Sequence, residues 1–326
     1  MPTVDEFGLI ARLFAPLAAR HPGALGLTDD AALLDCPPGH RLVLTADALV
    51  AGVHFFADDP PDLIARKAVR VNVSDLAAMG ARPAAIMLAA CFSREADLSW
   101  LDRFAAGLKA DLDEYCIPLI GGDTVATPGP ATFAVTALGY VENGRELRRS
   151  TARSGDFVWV SGTIGDAALG LLVAHGRASG LDRGAADFLL DRYRLPCPRL
   201  SLGPALAGLA TACMDVSDGL AGDLGHVCKA SGVGAVLEAD RVPLSEAARR
   251  MIGGDDALLE TALTGGDDYE LLFTAPESVS AVLEDLSRTL GLRLTRIGRI
   301  IDGQGVSVIR ANGDPMPLRR GSYRHF

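Results

Sequence analysis

A chain of 326 residues with 49% hydrophobic and 22% charged residues has ample material for buried cores, is not composed like a disordered protein, and is long enough to favour two domains. Its formal net charge of -10 argues against a nucleic-acid partner, because phosphate backbones are held by basic surface. The longest apolar runs, such as Pro83 to Phe92, are strand-length and far short of a bilayer span, which excludes a membrane helix.

From the N-terminus, Asp5 and Glu6 stand where an export signal would need positive charge, so the expected location is the cytoplasm. Phe7, Ile10, Phe14 and Leu17 fall at helical spacing and predict an amphipathic helix over Val4 to Ala19. A turn-rich stretch leads to Gly39, then a strand over Arg41 to Thr45. After Pro60 and Pro61 a helix runs towards Val73. Pro83 to Cys91 reads as a buried strand, Leu98 to Tyr115 as a helix, and Ile117 to Ile120 and Ala131 to Val141 as strands, together an α+β layer. The polar segment Glu142 to Asp156 marks the domain boundary, drawn as 1–148 and 149–326. Beyond it come a strand at Phe157 to Ser161, helices to about Leu209, a strand ending at Val216 and a helix from Asp218 to Ala230. Strands at Val233 to Glu238, Tyr269 to Thr274, Leu294 to Ile300 and Gly305 to Ile309 alternate with further helices, which predicts a second domain of α/β type. Six scattered cysteines without a CxxC pair read as reduced packing residues.

The acids are distributed unevenly in kind, with 30 Asp against 11 Glu. Aspartate suits turns and helix caps, and its shortness also makes it a rigid ligand for hard cations. Val-Ser-Asp is written twice, at Val73–Asp75 and Val216–Asp218, and each copy is followed at a similar distance by Gly-Gly-Asp, at Gly121–Asp123 and Gly265–Asp267. Asp29-Asp30 and Thr45-Ala46-Asp47 add acids at what read as strand ends or helix starts. Each alone is as well explained by a cap or a turn. If several converge, their repulsion calls for a divalent cation, and oxygen-only ligands select Mg²⁺, Mn²⁺ or Ca²⁺. Neighbouring glycines would let backbone approach phosphates. A third copy, Gly253-Gly254-Asp255-Asp256, needs only a glycine helix stop followed by an aspartate cap, with Asp256 taken as the capping acid. No GxxxxGK[ST] loop and no kinase glycine loop occurs, so phosphoryl transfer would rest on metals, with Lys67 and Arg149 as secondary, otherwise solvated, charge. A non-catalytic cation-binding protein fits the same acids.

The ordered segments DDAAL, LTADALVAGVHF, RKAVRVNVSDLAAMGARP, LIGGDT, RSTARSGD, VSGTIGDAALGL, MDVSDGL and LTGGDDYELLF, with a terminal Tyr323-Arg324-His325-Phe326, run from Thr28 to the last residue. In that order they resemble the thiamine-monophosphate kinase family, within the aminoimidazole-ribonucleotide-synthetase-like superfamily of ATP-using enzymes. The resemblance implies a two-domain α+β / α/β fold whose N-terminal sheet forms a homodimer interface, with the nucleotide in a cleft. It implies ATP-dependent phosphorylation of thiamine monophosphate to thiamine diphosphate, with Mg²⁺ held by Asp30, Thr45, Ala46, Asp47, Asp75, Asp123, Asp215 and Asp218. By the same resemblance Gly122, Asp123, Arg149 and Ser217 meet ATP, and His54, Asp267 and Tyr323 meet thiamine monophosphate. Asp47, Asp75 and Asp123 would be the acids closest to the chemistry. Three positions depart from the family pattern: Ala46 where threonine is usual, Thr28 where glycine is common and Asp267 where glutamate is usual.

Overall fold

Alternating side chains along residues 40–50 set the first layer: Leu49 is buried while Leu42, Leu44, Ala46 and Ala48 are exposed, the period-two pattern of a strand with one covered face. The computed structural model describes residues 6–178 and 180–319. The chain divides into two compact units, Met1–Leu76 with Ala81–Gly144, and Ala77–Gly80 with Arg145–Phe326.

The first unit carries a four-stranded sheet in the order β1-β4-β2-β3, from β1 (His40–Val50), β2 (Arg82–Ser93), β3 (Leu119–Thr127) and β4 (Thr132–Glu142). β4 runs antiparallel to both β1 and β2, and β3 runs parallel to β2. Helices Pro61–Ala78 and Leu98–Glu114 belong to the same unit, apart from the last turn of the first. Phe92 of β2, Phe133 of β4 and Phe104 of the second helix fill the space between helix and sheet, with Phe104 and Phe133 ring centroids 4.6 Å apart. The two helices are clamped by a fully buried carboxylate. Asp111 accepts from Arg66 at 2.7 Å and from Arg70 at 2.6 and 3.0 Å. A buried carboxylate is tolerable only with such charge-assisted partners, so this clamp fixes how the first helix lies.

The sequence boundaries at Thr45 and Val73 fall short. β1 continues to Val50 and the first helix to Ala78, so Thr45, Ala46 and Asp47 lie mid-strand and Asp75 lies within a helix. Gly122 and Asp123 are likewise inside β3. The acids expected at element ends therefore project from regular structure.

The second unit holds a six-stranded sheet ordered β10-β7-β9-β5-β8-β6, built from β5 (Phe157–Ser161), β6 (Ala212–Asp215), β7 (Gly234–Glu238), β8 (Leu271–Ala275), β9 (Leu294–Ile301) and β10 (Gly305–Ile309). Only the β10–β7 pair is parallel; the four others are antiparallel. Both faces are covered. Val158, Val160 and Leu272 pack with Leu220 and Leu224 of helix Leu220–Ser231, whereas Trp159, Leu271 and Phe273 pack with Leu202, Leu206 and Leu283. Burial on both faces is why these strands read as continuous apolar runs. The described cysteines are free; Cys213 and Cys228 are buried packing residues, but Cys36 and Cys116 are exposed, contrary to the packing expectation. No helix among the described residues is long and apolar enough to cross a membrane.

Candidate functional site

On the helix-facing side of β1, Thr45 donates its hydroxyl to Asp75 Oδ2 at 2.5 Å, and the backbone N–H of Asp47 donates to Asn72 Oδ1 at 2.8 Å. Asn72 is fully buried and its amide donates in turn to the carbonyl of Ala68 at 2.9 Å, so the helix orients both the strand and its acids. Asp47 is exposed and Asp75 partly so. The donors assembled here are two carboxylates and a hydroxyl, all oxygen, a set that fits Mg²⁺. Ala46 can offer only backbone oxygen to a cation.

Asp30 and Asp123 meet elsewhere. With Asp29, Gly121, Gly122 and Thr124 they line a cavity of about 140 Å³ whose apolar side includes Phe14 and Met87. The sheet register explains the separation. Asp47 pairs with Val135, Val135 with Leu88, and Leu88 with Gly122, whereas Asp123 belongs to the next row, beside Ala89. Adjacent rows face opposite sides of a sheet, and three strand spacings come to roughly 14 Å. Within one chain, then, Asp123 does not join Asp47 and Asp75 in one ligand shell.

His54 follows β1 in a turn where its Nδ1 accepts from the backbone N–H of Val50 at 3.0 Å, which assigns the proton of the neutral ring to Nε2. Lys67 is not solvated as the sequence suggested. It is 2% exposed and donates to the carbonyl of His54 at 2.9 Å, bracing the same turn.

In the second unit the acids lie where loops meet. Asp215 closes β6 and is 2% exposed. The loop after it and the loop before β8 are stitched together by their backbones: Asp267 N–H donates to the carbonyl of Ser217 and Tyr269 N–H to that of Val216, both at 2.9 Å. A Cβ on Gly266 would stand 2.0 Å from the Ser217 carbonyl oxygen, and one on Gly122 would stand 1.9 Å from that of Leu88. Both glycines are thus demanded by the protein's own backbone, a reason that spacing alone could not separate from approach to phosphate.

Asp267 and Tyr269 have φ of +72° and +51°, conformations uncommon for side-chain-bearing residues. The residues between and after them supply the restraint. Asp268 accepts from the backbone N–H of Gly165 at 2.6 Å and of Ala167 at 3.2 Å, at the start of helix Asp166–Ala174. Glu270, fully buried, accepts from Ser161 at 2.6 Å, Arg192 at 3.0 Å and Arg199 at 2.6 Å. Burial raises the pKa of Asp268 well above the ordinary carboxylate range and raises that of Asp166, despite hydrogen bonds from Ser245 and Thr163. Sequence reasoning missed this network. Its signal was the polar pair Asp268 and Glu270 directly ahead of a fully buried strand.

Asp218 stands partly buried ahead of helix Leu220–Ser231. Asp223 Oδ2 accepts from the backbone N–H groups of Asp218 and Gly219, each at 3.1 Å. Arg149 is exposed on the short turn Arg149–Thr151, and its carbonyl accepts from Ser231. Tyr323 lies outside the described residues. The third Gly-Gly-Asp is a helix junction as expected, with Gly253 at φ +51°, but the capping acid is Asp255, which accepts from Ala257 at 2.8 Å and Leu258 at 3.4 Å; Asp256 pairs with Arg310 instead.

Residues 28–141 match the AIR synthase related protein, N-terminal domain, and residues 153–311 the corresponding C-terminal domain. Thiamine-monophosphate kinase of Salmonella typhimurium is 43% identical over 98% of this chain and 98% of its own length. That of Caulobacter vibrioides is 41% identical over 97% and 90%. Among solved structures, thiamine-monophosphate kinase from Stenotrophomonas maltophilia superposes with a TM-score of 0.85 at 44% identity, covering 96% of this chain and 98% of that one. AaThiL complexed with AMPPCP and TMP gives a TM-score of 0.78 at 30% identity, covering 98% and 97%.

Proposed function

The chain belongs to the thiamine-monophosphate kinase family of AIR synthase related proteins, and from that premise we propose that it transfers the γ-phosphoryl group of ATP to thiamine monophosphate, yielding thiamine diphosphate and ADP. The observation that carries this reading is full-length agreement with thiamine-monophosphate kinases, one of which was solved with AMPPCP and TMP. The all-oxygen set of Thr45, Asp47 and Asp75 supports it chemically.

The acceptor is a phosphate oxygen that already carries negative charge. No strong general base is needed, and no Ser, Cys or His nucleophile has to be found. Asp30, Asp47, Asp75 and Asp123 with Thr45 in the first unit, and Asp215 with Asp218 in the second, are the residues that would hold Mg²⁺. Bound there, Mg²⁺ would supply neutralisation of the phosphate charge. Gly122, Arg149 and Ser217 serve the nucleotide in this reading. His54 offers Nε2–H as a donor to thiamine monophosphate, while Asp267 and Tyr323 supply further substrate contacts. The Asp267 loop, tied through Asp267 N–H and Tyr269 N–H to the carbonyls of Ser217 and Val216, suits a residue that must hold one position.

A homodimer belongs to the same reading. Leu42, Leu44, Met87 and Val125 are large exposed apolar side chains on the sheet of the first unit, a face suited to a second copy. A cytoplasmic location belongs to the same reading, in which the cysteines, free in the structure, stay reduced.

The deciding experiment is ATP-to-ADP turnover by the purified full-length chain with Mg²⁺, with and without thiamine monophosphate, and identification of the phosphorylated product. Formation of thiamine diphosphate only when both substrates are present is the expected result. Turnover of ATP indifferent to thiamine monophosphate points to another acceptor within the superfamily, and no turnover at all to a cation-binding protein.

A further inference from the structure

The chain holds three asparagines, and two of them are followed by glycine, in the steps Asn143-Gly144 and Asn312-Gly313. Such a step is chemically labile, because glycine has no side chain to obstruct the approach of its own backbone nitrogen to the preceding amide carbon. Sequence does not rank the two steps, and neither does exposure, since all four residues are exposed. Hydrogen bonding separates them. Asn312 donates from Nδ2 to Asp314 Oδ2 at 2.7 Å and accepts at Oδ1 from the Asp314 N–H at 3.0 Å, while the Gly313 N–H donates to the Arg310 carbonyl at 2.9 Å. The attacking nitrogen and the amide it would attack are therefore both engaged. At the other step, the Asn143 N–H is held by the Gly39 carbonyl at 3.0 Å and the Arg145 guanidinium by the Ala207 carbonyl at 2.7 Å. Between those two ties, neither the Asn143 side-chain amide nor the Gly144 N–H has a hydrogen-bond partner among the described residues. Gly144 lies at φ +76°, with open space where a side chain would stand.

We propose that Asn143 is a site of spontaneous deamidation and isoaspartate formation, and that Asn312 is protected from the same chemistry by its turn. The Gly144 nitrogen gives its proton to a solvent base and attacks Asn143 Cγ. A carbon–nitrogen bond forms, the Cγ–Nδ2 bond breaks, and Nδ2 leaves as ammonia, carrying a proton from solvent that balances the one lost by Gly144. Water then opens the resulting succinimide at one of its two carbonyls, giving aspartate or isoaspartate at position 143. Either product adds one negative charge to a chain whose formal net charge is -10. Isoaspartate also inserts a methylene into the main chain at the last step of the first unit, immediately before the chain passes into the second. The site draws on no residue of the phosphoryl-transfer reading and stands or falls apart from it.

The test ages full-length protein in mildly alkaline buffer, digests samples taken over time at acidic pH, and follows the peptides containing Asn143 and Asn312 by mass spectrometry. An isoaspartyl methyltransferase reports the isoaspartate. Acid forms should accumulate at position 143 on the order of tenfold or more faster than at position 312, where several hydrogen bonds must break before the ring can close. In protein unfolded by denaturant the two steps should react at similar rates, because the fold and not the dipeptide makes the difference. Asp314→Ala removes the acceptor of the Asn312 amide and should raise the rate at position 312 alone. Asn143→Gln should remove the acidic isoform and the methyl-acceptor signal, because glutamine must close a larger ring and does so far more slowly. Equal rates at the two positions in the folded protein, or a faster rate at position 312, overturns the proposal. So does an amide at position 143 that persists in the folded protein while it is lost from the unfolded one.

Discussion

The acids of the two units are held by opposite means. In the first, Asp47 and Asp123 project from the middle of strands and Asp75 from the last turn of a helix, whose ladders and core packing would hold the backbone whatever those side chains were. In the second, Asp215, Asp218 and Asp267 sit at strand ends and turns whose shape depends on the acids beside them: Asp223 pins the Asp218 turn, and Asp268 and Glu270 pin the Asp267 loop. Regular structure lets ligand chemistry be separated from stability. A stitched loop does not, because the residues that place the site also support the fold.

That contrast is broken or sharpened by four substitutions. Asp75→Asn should remove about 10²- to 10³-fold of turnover, the scale lost when one group stabilising developing charge is removed, while thermal stability moves by no more than about 0.5 kcal/mol. A large drop in melting temperature would erase the distinction. Gly266→Ala forces a Cβ to 2.0 Å from a backbone oxygen, so it should cost about 1–3 kcal/mol of stability as an overpacked site does, and raise the Michaelis constant for thiamine monophosphate because the Asp267 loop must shift. Unchanged melting with altered kinetics would count against the stitched-loop account.

Asp268→Asn tests the same loop through pH. Burial raises the folded-state pKa of Asp268 above its ordinary 3.8, so the folded state binds this proton more tightly than the unfolded state. The stabilisation is complete below about pH 4 and is lost as pH rises through the raised folded value. Melting temperatures measured from pH 4 upward should therefore fall less steeply in the Asn variant, and an identical slope would show that Asp268 is not the titrating group. Asp255→Ala serves as the quiet control: loss of a helix cap should cost about 1 kcal/mol with turnover unchanged, although it belongs to a Gly-Gly-Asp just as Asp123 and Asp267 do.

Much of this was legible before any coordinates. Period-two burial and helical spacing announced the strands and most helices. The repeated Val-Ser-Asp and Gly-Gly-Asp pointed to the acids. The error at Thr45 and Val73 has a single cause. Small and acidic residues lower strand and helix propensity locally, and the sequence reading stopped where propensity fell, whereas the ladder to β4 carries β1 further and burial of Ser74, Leu76 and Ala77 carries the helix.

The sequence by itself determined the residue types available for chemistry, their order, the excess of aspartate and the family, because these are properties of composition and of residues written close together. Only the tertiary structure decided which acids share a location: Thr45, Asp47 and Asp75 on one face of the first sheet, Asp30 and Asp123 on the other, and Asp218 with Asp223. It also decided that Lys67 is a buried brace and that Gly122 and Gly266 answer to neighbouring backbone. The physical reason is that register and burial arise from contacts between segments remote in sequence. A side chain's face of the sheet changes with every single residue along the strand, a distinction that no local pattern of Val-Ser-Asp or Gly-Gly-Asp can carry.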